Sequence, residues 1–527
     1  EWMDDVRNSA LRFASWCSAS FVSEKGLIMT NHHCSRGVVA SVMEENENFD
    51  ENGFYANKIG DERQVPDLFV DQLVMVADIT EAVKASESDE STTLENIQTE
   101  YAEKEGWAGL ELETRTFYSG GQYSLYGFKR YNDIRLVLYP ELALGYYGGD
   151  PDNFTYPRYN LDFTFFRAYD ESGSPLTPSN YFEFNPNGAD EDEAVFVVGN
   201  PGSTGRYLTM AQLNYQKEVT VPAILSLVEN RMEILMKAAE AVDDVYKKDS
   251  ITNQAFSLSN SQKAYAGRLK GYNDPMLMAR KANKEKQARS NVKFEGDDPW
   301  NKLEDNVAQL KEHYPEVIIL SPNALKGKIN QLNHQLYDYK AALESDNEEE
   351  LSNLKGSIQE LITDMDMDLE RALLASILDE LKMHSRKEYI DNLLAGKSGY
   401  EKAEEVMNNS IILNNPDKFF KLKVKKIDDE SLMALANVMV PSFRESAGKM
   451  GAINQENGEL QKQIANLQFQ ISGASTPPDA TFSLRISDGI VKGYEYNGTV
   501  APFETTYFGL YDRHYSHGQK YPWNLPE

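Results

Sequence analysis

Gly26-Leu27-Ile28-Met29-Thr30-Asn31-His32-His33-Cys34 is a short apolar run that ends in two histidines and a cysteine. A glycine opens it and long apolar residues fill it, which predicts a strand delivering His33 at a turn. Cys17 stands 17 residues before Cys34, at the start of Ser18-Ala19-Ser20-Phe21-Val22, which reads as the neighbouring strand. A Cys17–Cys34 disulfide would staple this hairpin, contributing about 3 kcal/mol by loop closure, and would imply an oxidising compartment. Rigid backbone beside His33 suits a general base, which must stay within hydrogen-bond reach of its nucleophile. The same residues also fit a metal site, ordinary turn histidines, or two free buried cysteines. Adjacent strand residues face opposite ways, and no CxxC or HxxxH partner completes a zinc shell.

Working outward, residues 1 to about 210 continue the β pattern. Asp133-Ile134-Arg135-Leu136-Val137-Leu138, Leu161-Asp162-Phe163-Thr164-Phe165-Phe166 and Ala194-Val195-Phe196-Val197-Val198 alternate with Gly, Asn, Asp and Pro. The polar stretch Lys84 to Glu95 interrupts it as a helix or surface excursion. From about 211 the period becomes helical: Leu225, Val228, Met232, Leu235, Met236 and Ala239 share one face, as do Leu361, Ile362, Met365, Leu369, Leu373 and Ile377. Leu460, Ile464, Leu467 and Ile471 are spaced like a coiled-coil seam, and Glu344 to Glu350 reads as a solvated turn. Gly473-Ala474-Ser475-Thr476-Pro477-Pro478-Asp479 is a linker by composition, after which strand signals return. The expected domains are a first β unit (1–210), a helical unit (211–472) and the start of a second β unit (473–527).

The 527 residues suit two or three structural units. A net charge of -30 would repel phosphate, which argues against nucleic acid. No apolar run approaches the roughly 20 residues that span a bilayer. No signal peptide is visible, and the opening Glu1-Trp2-Met3 is read as a processed or trimmed start.

A histidine base also needs a buried carboxylate to orient it and stabilise the imidazolium. Asp162, between Leu161 and Phe163 at the entrance of an apolar strand, is the candidate, since an unpartnered carboxylate there would be costly. Its alternative is an exposed strand-start aspartate. Asp150 and Asp152 read as turn residues beside glycine and proline.

The His33-Cys34 turn resembles the Thr-Ala-Ala-His-Cys turn of trypsin-like peptidases, which makes His33 the base and leaves His32 a packing role. Thr30-Asn31-His32-His33, Gly121-Gln122-Tyr123-Ser124-Leu125-Tyr126, the stretch from Gly148 to Arg167, Gly199-Asn200-Pro201-Gly202-Ser203-Thr204-Gly205-Arg206-Tyr207 and Val491-Lys492-Gly493-Tyr494 together resemble the bacterial dipeptidyl-peptidase 7/11 family of chymotrypsin-like serine peptidases. The resemblance runs in order over most of the chain and is weakest in the helical middle. It implies a double β-barrel peptidase domain of the chymotrypsin type, the second barrel only partly present here, with a large inserted α-helical cap domain. It implies an exopeptidase releasing dipeptides from free N-termini, needing no metal or cofactor. It also implies a homodimer, located in the periplasm, at the outer membrane or secreted. By this match His33 and Asp162 carry over as base and orienter. Asn153 and Phe154 occupy the amine-clamp positions, Phe154 replacing the family's tryptophan and losing its indole N–H. Asn260 is placed as the clamp residue from the helical part.

The family's serine lies in a Gly-Asn-Ser-Gly-Ser-Pro motif that this sequence lacks, so the nucleophile, and the nearby residue that sets the P1 side chain, are expected beyond Glu527. Ser203 is the nearest imitation, but only 41 residues separate it from Asp162, too few for a second barrel between the two. The alternatives are an endopeptidase on the same barrels, or a peptide-binding protein with no downstream serine.

Overall fold

The computed structural model describes residues 1–242, 245–292, 296–384, 388–475, 477–496 and 498–526. It divides into two compact units: residues 1–207 with 468–527, and residues 208–467.

The first unit is built on antiparallel strands. They are β1 (Ala10–Phe13), β2 (Cys17–Phe21), β3 (Leu27–Thr30), β4 (Phe54–Tyr55), β5 (Arg63–Gln64), β6 (Val70–Asp78), β7 (Glu111–Phe117), β8 (Gln122–Tyr131), β9 (Ile134–Tyr139) and β10 (Thr164–Ala168). These ten form one sheet in the order β4-β9-β10-β3-β2-β1-β6-β8-β7, with β5 also on β9. The inward residues Leu11, Phe13, Phe21, Ile28, Val70, Leu136 and Phe166 make its core, each at most 1% exposed. Alternation of apolar and polar residues along the strands produces that one-sided burial. The stretch from 84 to 95 resolves into parts of two helices, Thr80–Lys84 and Glu90–Ala102, between β6 and β7.

The expected barrel closure is not found among the described residues. The ladder runs from β4 to β7 without pairing its two ends, so the architecture is a mixed α/β unit with open antiparallel sheets. Ala194–Gly199 (β11) also departs from expectation. It pairs not with the large sheet but with Arg485–Ile490 (β12), in the register Ala194↔Ile490 to Gly199↔Arg485. Tyr494–Tyr496 (β13) and Thr499–Ala501 (β14) form a further ladder. Strands on either side of the helical stretch therefore belong to one unit.

The second unit is helical. Leu332, Leu336, Ile358, Leu381, Phe419, Leu432 and Leu435 lie at its centre, each fully buried. The helical face read from Leu361 to Ile377 is split between two helices, Glu348–Ile362 and Met367–His384. Asp364 between them has a positive φ of 53°, which a continuing helix does not allow. Leu460, Ile464 and Leu467 sit on the helix Ser431–Ser472 and pack with Trp300, Leu303 and Val307, while Ile471 is 45% exposed. In the linker, Gly473–Ser475 forms a 3-10 turn, and Thr476 lies outside the described residues. No helix among the described residues is long and apolar enough to cross a membrane.

Candidate active site

β3 and β10 run antiparallel with Thr30 opposite Thr164. The chain leaving β3 therefore meets the chain entering β10. The first carries Asn31, His32 and His33, and the second carries Asp162. β10 begins three residues later than its apolar run suggests, because Leu161 N bonds Leu144 O (2.9 Å) and Phe163 N bonds Leu161 O (2.9 Å). Those local bonds take Asp162 off the ladder.

After Thr30 the backbone turns at once into the helix His32–Val39, so His33 stands in a first helical turn. Its backbone N–H donates to Asp162 Oδ1 at 3.0 Å, and its ring Nδ1 lies 2.7 Å from Asp162 Oδ2. An ionised carboxylate only accepts, which assigns the ring proton to Nδ1 and leaves Nε2 as the acceptor nitrogen. Asn31 Nδ2 adds bonds to Asp162 O (3.1 Å) and Oδ2 (3.4 Å). Burial pushes the Asp162 carboxyl up. Hydrogen bonds from the His33 ring and backbone, with the charges of His33 and Arg36, outweigh it, so Asp162 titrates below the usual carboxylate range. The His33 side chain is 57% exposed, accessible to a substrate. Among the described residues, the only hydrogen-bond partner of its ring is Asp162.

His32 has a different environment. It is fully buried, stacked on Tyr139 at 4.2 Å. Nε2–H donates to Pro140 O (2.9 Å), and Nδ1 accepts from Arg36 Nε (3.1 Å). Burial first, then the Arg36 charge, lower its pKa from 6.5 to about 4. A neutral ring with both nitrogens used serves packing.

Cys17 and Cys34 are joined as a disulfide, with Cα atoms 6.2 Å apart, and Trp16 Nε1 donates to Cys34 O (3.1 Å). Donor atoms of Cys17, His33 and Cys34 lie within 4.8 Å of one another. With the two sulfurs bonded to each other, no thiolate is left to bind a metal. Beside Asp162 opens a cavity of about 610 Å³, lined by Ser18, Ser20, Met29, Thr30, Asn31 and Phe182 among others.

Asn153 Oδ1 accepts from Arg158 Nη1 at 2.7 Å. Phe154 is 69% exposed and adopts φ +59°. The guanidiniums of Arg36 and Arg158 lie 4.9 and 5.8 Å from the Tyr146 ring. Asn260 sits on the helix Val245–Tyr272 of the other unit. Ser203 is in an exposed loop held by Thr204 and Arg206 bonds to Asp479.

Asp152 corrects the sequence reading. It closes a short helical turn, Gly149–Asp152, but its side chain is 3% exposed. It accepts from Arg513 Nη2 (2.6 Å) and Nε (3.2 Å) and from Trp523 Nε1 (2.9 Å). No local pattern links it to residues more than 360 positions away; the only hint was the Gly148-Gly149 pair before it. Arg36 and Arg158 were not singled out either, although their hydrogen-bond partners His32 and Asn153 are only four and five residues away; nothing in the sequence set these arginines apart from others.

A family model described as Peptidase S46 matches residues 1–527. An Asp/Glu-specific dipeptidyl-peptidase of Capnocytophaga gingivalis is 26% identical over 93% of this chain and 74% of its own length. Dipeptidyl-peptidase 7 of Phocaeicola vulgatus is 24% identical over 95% of this chain and 75% of its own. The chain thus spans about three quarters of the length of these relatives. The crystal structure of Porphyromonas endodontalis DPP11 superposes with a TM-score of 0.84 at 19% identity, over 99% of this chain and 80% of that one. With the family model covering every residue, the chain belongs to the peptidase S46 family.

Proposed function

We propose that this protein is a serine exopeptidase that releases dipeptides from the free N-terminus of oligopeptides, with His33 as general base and Asp162 as its orienter. The observation that carries the reading is the 2.7 Å bond from the His33 ring to a carboxylate that also accepts the His33 backbone N–H. Two points of attachment fix both the place and the tautomer of the ring. His33 Nε2 then takes the proton of an attacking serine hydroxyl, Asp162 stabilises the imidazolium, and the proton passes to the departing amine. The serine acts from outside the residues that His33 bonds here; Ser203 has no part in it.

The curated relatives that support the activity bear the names Asp/Glu-specific dipeptidyl-peptidase and dipeptidyl-peptidase 7. Asn153 and Phe154 hold the substrate's free amine. The enzyme acts as a homodimer without metal. The Cys17–Cys34 pair suits a periplasmic, outer-membrane or secreted location.

The test is His33→Ala in the full-length protein, assayed on a dipeptidyl amide with a free and with an acetylated N-terminus. Loss of free-amine hydrolysis is expected, as is wild-type indifference to the acetylated substrate. Retained dipeptide release would remove His33 from the mechanism. Equal cleavage of both substrates by wild type would favour an endopeptidase.

A further inference from the structure

We propose that Asp152 and the segment from Leu510 to Leu525 form a lock that positions the Asn153–Phe154 turn, making Arg513 and Trp523 positioning residues for substrate recognition. This rests on the reading of Asn153 and Phe154 as substrate contacts.

The lock bonds the residues that lead into the turn before Asn153. Gly148 N donates to Pro522 O (3.0 Å). Tyr147 OH donates to Trp523 O (3.1 Å) and approaches Leu510 O (3.3 Å). Trp523 is itself fixed, with its carbonyl 2.8 Å from His514 Nδ1 and its ring stacked on His517 at 3.9 Å. The turn can approach this closely only as glycine. Gly148 and Gly149 have φ of +77° and +52°. A Cβ on Gly148 would overlap Asp152 Oδ2, and one on Gly149 would lie 2.9 Å from Pro522.

Within the turn, the Asp152 carboxylate is buried and takes three donors from Arg513 and Trp523. A buried charge so bonded has few alternative positions, because losing one partner leaves it uncompensated. The next residue, Asn153, accepts from Arg158. Phe154 follows at φ +59°, a region that bulky residues occupy only when their surroundings impose it. An imposed conformation directly after a three-donor anchor is the second observation for the lock. It places an exposed ring where a flexible turn would not keep it.

The experiment measures kcat and KM for a free-amine dipeptidyl amide in the full-length enzyme, with Arg513→Met, Arg513→Lys and Trp523→Phe, alongside thermal unfolding. Arg513→Met is expected to raise KM about tenfold with kcat nearly unchanged, a loss of substrate positioning rather than of chemistry. Arg513→Lys should recover part of it, and Trp523→Phe, which removes one donor, should have a smaller effect of the same kind. A folded Arg513→Met with wild-type KM would overturn the lock. If that variant does not fold, unchanged KM in Trp523→Phe overturns it. The amine reading is judged separately, by the free-to-acetylated ratio of wild type. If that ratio is near one while KM still moves in the variants, the lock stands and the amine reading falls.

Discussion

Replacing Asp162 by asparagine keeps the side chain's shape and removes its charge. The Asn Oδ1 can still accept the His33 backbone N–H, now at 3.0 Å, so the turn should fold. Two things are lost. The imidazolium formed in the reaction loses its counter-charge. Unit charges about 4 Å apart attract by about 4 kcal/mol at an effective dielectric of about 20. Because the His33 side chain is 57% exposed, solvent screening reduces that to about 1 kcal/mol. The second loss concerns the tautomer. The amide N–H₂ now facing Nδ1 donates instead of accepting, so the ring proton moves to Nε2 and the base is blocked. Together these predict a fall in kcat of about a thousand- to ten-thousandfold, roughly 4–5.5 kcal/mol. Steady-state hydrolysis of a dipeptidyl amide by full-length protein between pH 7 and 9 measures it, with thermal unfolding as the folding control. A kcat within about tenfold of wild type would refute the role given to the 2.7 Å bond.

His32 titrates at about 4 when folded against 6.5 when free, so the unfolded chain binds the proton more readily. Its contribution is therefore full above about pH 6.5 and declines as pH falls toward 4, by about 3 kcal/mol. Urea unfolding from pH 7 to pH 4 should show that slope in wild type and lose it in His32→Gln. Gly145→Ala would set a Cβ 2.6 Å from the His32 ring, and overpacking there should cost about 1–3 kcal/mol in a denaturation midpoint. Replacing both Cys17 and Cys34 by serine opens a 17-residue loop and should cost about 3 kcal/mol, with an unchanged unfolding midpoint arguing against a formed disulfide. In the helical unit, Lys326 is 3% exposed and bonded to Glu380 at 3.2 Å. Lys326→Met should destabilise by about 3–5 kcal/mol, and adding Glu380→Leu should recover most of it. Additive losses in the double variant would mean the pair is not coupled.

The sequence by itself determined the local backbone patterns. Period-2 and period-3.6 patterns depend on which face each side chain occupies, so the strands around residues 18–22, 26–30 and 133–138 and the helical stretch after 210 were legible one window at a time. His33 stood out as a candidate because a histidine before a cysteine at a strand end is a compact signal. Asp162 was legible because a carboxylate between Leu161 and Phe163 needs a partner. Other features depended on pairings between distant residues. Only the register Thr30↔Thr164 set His33 against Asp162. Only the ladder order revealed an open sheet where closure was expected, and β11 on β12 rather than on the first sheet. Asp152 shows the difference most clearly. In sequence it is a turn aspartate beside glycine and proline. In the fold it is a buried anchor, because Arg513 and Trp523 arrive from the far end of the chain to neutralise it. A residue's neighbours along the chain fix its backbone preferences, but the cost or gain of its charge depends on what packs around it, and that is decided only by tertiary structure.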